Sequence, residues 1–325
     1  MISTGHLLVC FGLFAFASGA GWGYHGAHGK GHWGESYSHC GLGKKQSPIH
    51  LQTATSEYKE SLANLHFEHH NIDKEKDKFF IFNNGHTLQL GVHADFVIKG
   101  GSLGGTYKIA QLHFHWGKTD AQGSEHHKDH KAYPLEMHIV SYDSEKYNSL
   151  GEAVGKDEGI AVIGVFFKVN DHHNKHLDPI LHHIDAVQHP DALHHVEVPV
   201  FNLQYLLPHH TKYYFRYHGS LTTPGCNETV LWTVMDMPQF LGGPQLEKFR
   251  TLLEGPNTPL VDNFRDPQPI NDRTIYRSFP HQLEYVIIQD VVVNEAADSA
   301  APHNQFSYIQ LALALTTAAL FWFTH

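Results

Sequence analysis

The chain has 325 residues, of which 41% are hydrophobic, and this length and composition are sufficient for a large buried core. The formal net charge is −10 with histidine neutral, and the lysines and arginines form no concentrated basic stripe. Because nucleic acid binding depends on such a stripe, nucleic acids are excluded as partners.

The N-terminus has the pattern of a secretory signal peptide over residues 1–20. Residues 7–17 form a short apolar run, and Ser18-Gly19-Ala20 supplies the small residues of a cleavage site. No Lys or Arg precedes the run, unlike in most signal peptides. The alternative is a membrane anchor, but the run is too short to span a bilayer. We therefore expect cleavage near Ala20.

Short β-branched or aromatic segments bounded by Gly, Asn or Pro follow along the chain, and they predict strands. These segments are residues 79–82, 87–92, 110–116, 135–140, 160–169, 213–217 and 230–235. Apolar residues at helical spacing predict helices over 177–187 and, after Pro244, over 246–253. We expect a mixed α+β, mostly β fold: a single domain over residues 21–295, with a large central sheet and short peripheral helices.

The segment QLHFHWG, residues 111–117, places two histidines one residue apart. In a strand, residues i and i+2 point to the same face, so His113 and His115 share one face and Phe114 lies on the other. Such a pair can bind one metal ion, or it can be two polar residues on the solvated face of a sheet. Since the chain contains 31 histidines, the pair could also arise by chance. A third ligand and outer hydrogen-bond acceptors decide between these interpretations.

The segment LEMHIV, residues 135–140, supplies the third candidate ligand, His138. Glu136 lies on the same face of this predicted strand, and a carboxylate there can accept the free N–H of a ligating imidazole. Gln111 can serve His113 in the same way through its amide oxygen. If the two strands are neighbours, the three imidazoles converge. Three imidazoles with one open position describe a catalytic zinc site, because a structural zinc site has four protein ligands.

Together these segments resemble the α-class carbonic anhydrases. The matching motifs are QLHFHWG, SEH at residue 124, LEMHIV and HGSLTTPGC at residue 218, with QSPIHL at residue 46 and NNGH at residue 83 in the family's order. The resemblance extends from WGY at residue 22 to about residue 293. It implies a single domain around a ten-stranded, mostly antiparallel twisted sheet, with Zn2+ in a conical cavity. The implied reaction is the reversible hydration of carbon dioxide to bicarbonate and a proton, by attack of zinc-bound hydroxide.

The resemblance also implies roles for residues outside the ligand triad. Thr222 matches a gatekeeper threonine, whose hydroxyl accepts from the zinc-bound hydroxide and donates to Glu125, a buried carboxylate; by itself Thr222 is a turn residue. His86 matches the proton-shuttle position, for which its unperturbed pKa of about 6.5 is suited. By itself, His86 is a turn histidine in a hairpin. The backbone of Asn263 is implied to orient His115.

A carbon dioxide pocket is implied at further positions, which composition alone would assign to an ordinary core. One member, Thr223, matches a substrate and inhibitor contact, so sulfonamide inhibitors are expected to bind. The set is Val140, Val162, Leu221, Thr223 and Trp232. Two departures from common family patterns are Phe264, where many members carry Trp, and Ser141-Tyr142 in place of His-Trp. Both lie away from the expected metal.

Three cysteines and one sequon bear on the cellular compartment. Cys10 lies in the predicted signal peptide, so Cys40 and Cys226 remain as an even pair in an oxidising compartment. A disulfide between them is therefore expected. Asn227-Glu228-Thr229 fits the glycosylation sequon, which predicts a glycan on Asn227.

The C-terminus has the pattern of a glycosylphosphatidylinositol (GPI) attachment signal over residues 296–325. A small-residue cluster at 296–301 and a brief polar spacer precede an apolar run at 309–323, after which no Lys or Arg follows. Ser299 or Asp298 is the expected attachment residue. The alternative, a spanning helix, conflicts with the short run, its polar residues and the missing basic stop. We expect a lipid-anchored protein on the extracellular face of the plasma membrane or, without the anchor, a secreted one.

Two other classes of function are compatible with parts of the sequence. A non-catalytic binding module on the same fold would have lost a zinc histidine, whereas this chain keeps all three. A metal-buffering or mineral-matrix protein would use the histidine-rich stretches at 24–39 and 172–195, which we otherwise interpret as solvated surface. One tightly bound zinc per chain favours the enzyme, and many weak sites favour the buffer.

Overall fold

The computed structural model describes residues 21–280, apart from residues 63, 70–71, 74 and 192. The predicted signal peptide, the end of the predicted domain at 281–295 and the predicted GPI signal with Ser299 lie outside the described residues. In the part of the chain that is described, no helix is long and apolar enough to cross a bilayer.

Strands dominate the described part of the chain. They are β1 (His50–Leu51), β2 (Glu57–Tyr58), β3 (Leu65–His69), β4 (Lys78–Asn83), β5 (Leu88–His93), β6 (Phe96–Gly100), β7 (Tyr107–Trp116), β8 (His127–Lys128), β9 (Leu135–Asp143), β10 (Ile160–Asn170), β11 (Val196–Val198), β12 (Tyr214–Gly219), β13 (Val230–Met235), β14 (Gln239–Gly242) and β15 (Tyr276–Arg277).

The helices are short and lie between the strands. The α-helices are α1 (Trp33–Ser36), α2 (Ser38–Leu42), α3 (Leu150–Ala153), α4 (Asp178–Leu181) and α5 (Gly243–Arg250). The 3-10 helices are Gly26–His28, Lys175–Leu177, Ile184–Val187 and Leu203–Leu206.

One large sheet organises the domain. Ten strands follow one another in the order β11, β4, β5, β7, β9, β10, β13, β12, β15 and β2, and β3, β6 and β14 pair beside this path. Most pairs are antiparallel, while β10 runs parallel to β13 and β14, and β15 runs parallel to β2. The mostly β, mostly antiparallel fold is therefore confirmed. The implied ten strands correspond to this path, and the described sheet has three more.

The seven predicted strands all lie in the large sheet, with ends that differ by a few residues. Two paired strands, β3 and β6, were not predicted. Their outer faces carry polar residues, including Glu68 and Lys99, which form an exposed ion pair at 2.8 Å. In β3, apolar Leu65 and Phe67 alternate with polar His66 and Glu68, so the strand pattern is present in the sequence although no strand was predicted there.

The predicted helix at 177–187 is wrong as one continuous element. The structure has two 3-10 turns and the single turn of α4 there, although the apolar residues that gave the helical spacing are buried. His183 has φ −110° and ψ 0°, which interrupts a helix after α4. Spacings of three and four residues fit successive 3-10 and α turns as well as one helix.

Strand β7 separates the apolar core from the polar cavity face. Phe114 and Trp116 are fully buried, and their rings lie 5.0 and 5.5 Å from that of Phe249 on α5. Helix α5 begins at Gly243 with Pro244 in its first turn and confirms the predicted helix at 246–253, shifted toward the N-terminus. Because side chains alternate along a strand, His113 and His115 face away from α5.

The expected disulfide is present and fastens the N-terminal segment to the domain. Cys40 and Cys226 are bonded across a sequence separation of 186 residues. Arg265 reinforces the same region, since its guanidinium donates to the side-chain oxygen of Gln46 and to the carbonyls of Ser47 and Cys40.

We expect the double variant Cys40→Ser with Cys226→Ser to fold but to lose stability. In the chain-entropy description, a loop of this length contributes up to about 5 kcal/mol. Denaturant unfolding of the oxidised wild type, the reduced wild type and the variant measures the loss, and reduced wild type and variant should coincide. Equal free energies of unfolding for oxidised wild type and variant would contradict the expectation.

Candidate metal centre

The three candidate ligands lie on two adjacent strands. His113 and His115 stand on β7 and His138 on β9, and the antiparallel register pairs His113 with His138 and His115 with Glu136. Directly opposite residues share a face of the sheet. The two strands are neighbours, so the condition for the convergence of the three imidazoles is met.

The three imidazoles converge on one point. Their ligand atoms lie within 4.8 Å of one another, and Nε2 of His115 is 3.2 Å from Nδ1 of His138. The ring centroids are 4.6 to 5.2 Å apart. Tetrahedral ligation at about 2.1 Å places ligand nitrogens roughly 3.4 Å apart, so the separation fits one zinc ion.

Each imidazole has an acceptor for its outer nitrogen. Nδ1 of His113 donates to Oε1 of Gln111 at 3.0 Å, and Nδ1 of His115 donates to the carbonyl of Asn263 at 2.7 Å. Nε2 of His138 donates to Oε1 of Glu136 at 2.8 Å. A neutral imidazole that donates from one nitrogen has its lone pair on the other. The outer acceptors therefore aim three lone pairs inward.

Electrostatics favours the neutral form of His113 and His115, which is the form that a metal requires. Burial, together with the neighbouring imidazoles, holds the pKa of His113 well below its ordinary value, and burial also lowers the pKa of His115. Burial alone would raise the pKa of Glu136, but interactions with His126 and His138, including the hydrogen bonds that both imidazoles donate to its carboxylate, outweigh burial and lower the pKa. Neutral imidazoles beside an ionised carboxylate suit a divalent cation.

A chain of polar contacts through His126, Tyr217 and Ser47 supports Glu136, and the sequence patterns did not indicate it. His126, fully buried, donates from its backbone N–H to Oε2 of Glu136 at 2.8 Å and from Nδ1 to Oε1 at 2.7 Å. Nε2 of His126 lies 2.7 Å from the hydroxyl of Tyr217, which is 2.9 Å from Oγ of Ser47. The one feature of the sequence that could have indicated His126 is its position directly after Glu125. Because the chain contains 31 histidines, that position alone does not separate His126 from the others.

Glu125 lies beside the ligands, and one of its oxygens is unpaired. Oε1 accepts from the backbone N–H of Arg265 at 2.8 Å, while Oε2 is buried without a hydrogen-bond partner. Oε2 lies 3.5 Å from Nε2 of His115 and 3.8 Å from Nδ1 of His138. Thr222 is also buried, but the bond predicted from its hydroxyl to Glu125 is not formed in the structure. The free oxygen is positioned beside the converging lone pairs.

His86 lies apart from the ligand group. Its ring stacks on Trp22, with centroids 3.7 Å apart and planes 10° from parallel. Burial in this position lowers the pKa of His86 to about 4. Its carbonyl accepts from Nδ2 of Asn263 at 2.9 Å, so the residue that orients His115 also holds the turn that carries His86.

Most of the predicted pocket residues line up beside the third ligand. The register of β10 pairs Val162 with Val140 on one side and with Trp232 on the other. All three are buried, and the Trp232 ring lies 4.8 Å from that of His138. Leu221 and Thr223 stand in the adjoining turn and are partly exposed. An apolar surface therefore borders the converging imidazoles.

Comparison with known proteins identifies the family. The family model for eukaryotic-type carbonic anhydrases matches residues 28–279. Carbonic anhydrase 12 of Homo sapiens is 38% identical over 269 residues, covering 81% of this chain and 74% of the relative. Carbonic anhydrase 7 of Mus musculus is 36% identical over 265 residues, which cover 79% of this chain and 97% of the relative. Mitochondrial carbonic anhydrase 5B of Mus musculus is 37% identical over 267 residues, which cover 80% of this chain and 81% of the relative.

The chain therefore belongs to the eukaryotic-type carbonic anhydrase family. The donor set fits the metal of that family: three buried imidazoles have inward lone pairs, each outer nitrogen has an acceptor, and no cysteine approaches the point of convergence among the described residues. The cofactor is Zn2+, and the reaction is the reversible hydration of carbon dioxide to bicarbonate and a proton.

We expect His138→Ala to lose zinc and activity together while the domain still folds. Two imidazoles remain, and removal of a ligand should weaken zinc binding by more than about a hundredfold, since even outer partners are worth ten- to a hundredfold. Metal analysis after dialysis, turnover and circular dichroism measure the three properties. His182→Ala, which changes an exposed histidine, is the control. Stoichiometric zinc with full turnover in His138→Ala would refute the ligand assignment.

Proposed function

We propose that this carbonic anhydrase acts at the outer surface of the cell. Different residues of its cavity bind the substrate, orient the nucleophilic oxygen and transfer the product proton. The convergence of three imidazoles, each held by an outer acceptor, is the observation that carries the catalytic part. When bound there, zinc acts as a Lewis acid that brings the pKa of a coordinated water to about 7, a magnitude established for carbonic anhydrases.

The apolar wall holds the substrate. Carbon dioxide has no net charge, so it is accommodated beside Val140, Val162 and Trp232 without a loss of hydrogen bonds. Trp232 also donates from its indole N–H to the carbonyl of Ser220 at 3.0 Å, which fixes the ring against His138. The wall thereby keeps the substrate within reach of the nucleophile.

Thr222 and Glu125 orient the nucleophilic oxygen. The unpaired Oε2 of Glu125 is a buried acceptor, and an ionised carboxylate can only accept. The proposed role requires the Thr222 side chain to bring its hydroxyl to Oε2 as a donor, which would satisfy both groups and leave the threonine oxygen as an acceptor on the cavity side. That acceptor binds the remaining proton of the nucleophile and so directs its lone pair at the substrate carbon.

His86 moves the product proton to solvent. A group with a pKa of about 4 is a poor acceptor from a donor with a pKa near 7, so the ring stacked on Trp22 is not in its accepting position. When the ring turns away from Trp22 into water, its pKa returns toward the ordinary value of about 6.5. The exposed histidines of the N-terminal segment, His25 and His28, are secondary acceptors.

We expect His86→Ala to lower maximal hydration in dilute buffer while zinc content is unchanged. Isotope exchange between carbon dioxide and bicarbonate, which needs no proton transfer to solvent, should stay near the wild-type rate. Added imidazole should restore much of the hydration rate by carrying the proton itself. His182→Ala, which changes an exposed histidine with no proposed role in proton transfer, serves as the matched control. An unchanged rate in dilute buffer, or a loss of zinc, would show that His86 is not the shuttle.

The cellular location rests on several sequence features and one structural feature. The Cys40–Cys226 disulfide belongs to an oxidising compartment, which agrees with the signal peptide proposed at residues 1–20. Asn227 of the proposed glycosylation site is partly exposed beside the disulfide. The C-terminal signal at 296–325, with attachment at Ser299, adds a lipid anchor to the extracellular face of the plasma membrane.

We expect a phosphatidylinositol-specific phospholipase to release the protein from intact cells. A chain that ends at Ser299 should be secreted, because it lacks the apolar segment of the attachment signal. Immunoblots of medium and cells measure both outcomes. Recovery of the peptide 309–323 from the mature membrane protein would replace the anchor by a spanning helix.

The catalytic proposal as a whole is tested by stopped-flow carbon dioxide hydration. Activity should disappear with a zinc chelator, return with one equivalent of zinc, and be inhibited by a sulfonamide. Thr222→Ala and Glu125→Gln should keep zinc but lose turnover. Full turnover in both variants would refute their orienting role while leaving the zinc assignment intact.

A further inference from the structure

Three histidines meet on the surface, away from the catalytic cavity. His50 is in β1 and His127 is in β8, and the two are register partners in the small parallel ladder of these strands. His130 follows two residues after β8. We call these three residues the surface histidine group. Because side chains alternate along a strand, His127 faces away from the side on which His126 contacts Glu136.

A tight turn presents His130 to His50. The backbone N–H groups of Lys128 and Lys131 each donate to the carbonyl of the other at 2.9 Å, which closes a two-residue hairpin. The two central residues, Asp129 and His130, have φ of 45° and 64°. Positive φ at both central positions defines a type I′ turn, for which Asn or Asp followed by Gly is preferred.

The side chain of the aspartate is hydrogen-bonded to a neighbouring segment, whereas the side chain of the histidine is exposed. Asp129 accepts from the backbone N–H and the hydroxyl of Thr53, each at 2.8 Å, and donates from its own N–H to the carbonyl of Leu51 at 2.9 Å. His130 occupies the position that favours glycine, with an exposed side chain. The His130 ring lies against that of His50 while its backbone adopts a conformation that favours glycine, and backbone strain of this kind is concentrated at functional sites.

The distances between the imidazole rings of the surface histidine group can be compared with those between the three catalytic ligands. Ring centroids of the catalytic ligands are 4.6, 5.1 and 5.2 Å apart. The centroids of His50 and His130 are 4.7 Å apart, which lies within this range. Those of His50 and His127 are 6.2 Å apart, about one ångström more. The centroid spacing of His50 and His130 therefore matches that of the catalytic ligands, and a rotation of the His127 side chain would be needed to bring the third ring equally close.

We propose that the surface histidine group binds a second, divalent transition-metal ion, with His50 and His130 as the primary ligands and His127 as the third. Imidazole is a preferred ligand of Cu2+, Ni2+ and Zn2+, and Cu2+ binds such sites most tightly. Nε2 of His50 accepts from the backbone N–H of His130 at 2.9 Å, and the ion replaces that donor. The released N–H is at an exposed turn, where water can accept from it.

The local electrostatics is compatible with metal binding near neutral pH. Burial and the neighbouring His130 lower the pKa of His50, and burial and His50 lower the pKa of His127. A lowered pKa favours the neutral imidazole, whose lone pair a metal requires; in His50 that lone pair, on Nε2, is the one that now accepts from the backbone N–H of His130. Lys128 is paired with Asp236, and both oxygens of Asp129 are bonded to Thr53, so neither residue competes with the ion for the imidazoles.

Titration of the zinc-loaded protein with Cu2+, by calorimetry and electron paramagnetic resonance, tests the proposal. The critical variant is His130→Gly, which removes a ligand and supplies the residue that the type I′ turn prefers, so the fold should be kept or stabilised. His172→Ala, an exposed histidine outside the group, is the matched control. Zinc content and carbon dioxide hydration are measured in parallel.

The wild type should bind one Cu2+ with a nitrogen hyperfine pattern of at least two imidazoles. His130→Gly should weaken this binding by about tenfold or more, while His172→Ala leaves it unchanged and all three proteins retain zinc and turnover. In Cu2+-soaked crystals, anomalous density should lie between His50 and His130. Wild-type affinity in His130→Gly, an equal loss in His172→Ala, or density only at other histidines would overturn the proposal.

Discussion

The metal centre depends on the pairing of β7 with β9 in a single register. That pairing sets His113 opposite His138 and His115 opposite Glu136, so three ligands and one acceptor share a face of the sheet. A slip of one residue would turn every side chain of one strand to the other face. Because Phe114 and Trp116 are fully buried against α5, such a slip would also expose the core. Apolar packing on one face thus fixes the polar arrangement on the other.

Hydrogen bonds then determine which nitrogen each imidazole presents to the cavity. His113 and His115 donate from Nδ1, whereas His138 donates from Nε2. The carboxylate of Glu136 is itself held by two hydrogen bonds from His126, so His126 fixes the residue that orients His138. Buried polar groups with satisfied partners are rigid, and rigidity lets the centre receive an ion without rearrangement.

The sequence carried much of this centre and part of the fold. Alternation around Phe114 was enough to place His113 and His115 on one face, because the period of a strand is fixed at two residues. The acceptor for His115 could not be predicted from a local pattern. It is the backbone carbonyl of Asn263, which lies 148 residues further along the chain. Only the family resemblance indicated it. His126 was overlooked because its role depends on a partner across the fold rather than on spacing. For the same reason, the stacking of His86 on Trp22 could not be foreseen.

X-ray absorption spectroscopy at the zinc edge of the purified protein tests the central claim most directly. The arrangement of His113, His115 and His138 predicts one zinc per chain with three imidazole nitrogens at about 2.0–2.1 Å and one further light ligand from solvent. Multiple scattering from three rings would support three histidine ligands. A sulfur shell near 2.3 Å, scattering from fewer than three imidazoles, or a spectrum dominated by carboxylate oxygen would contradict the account.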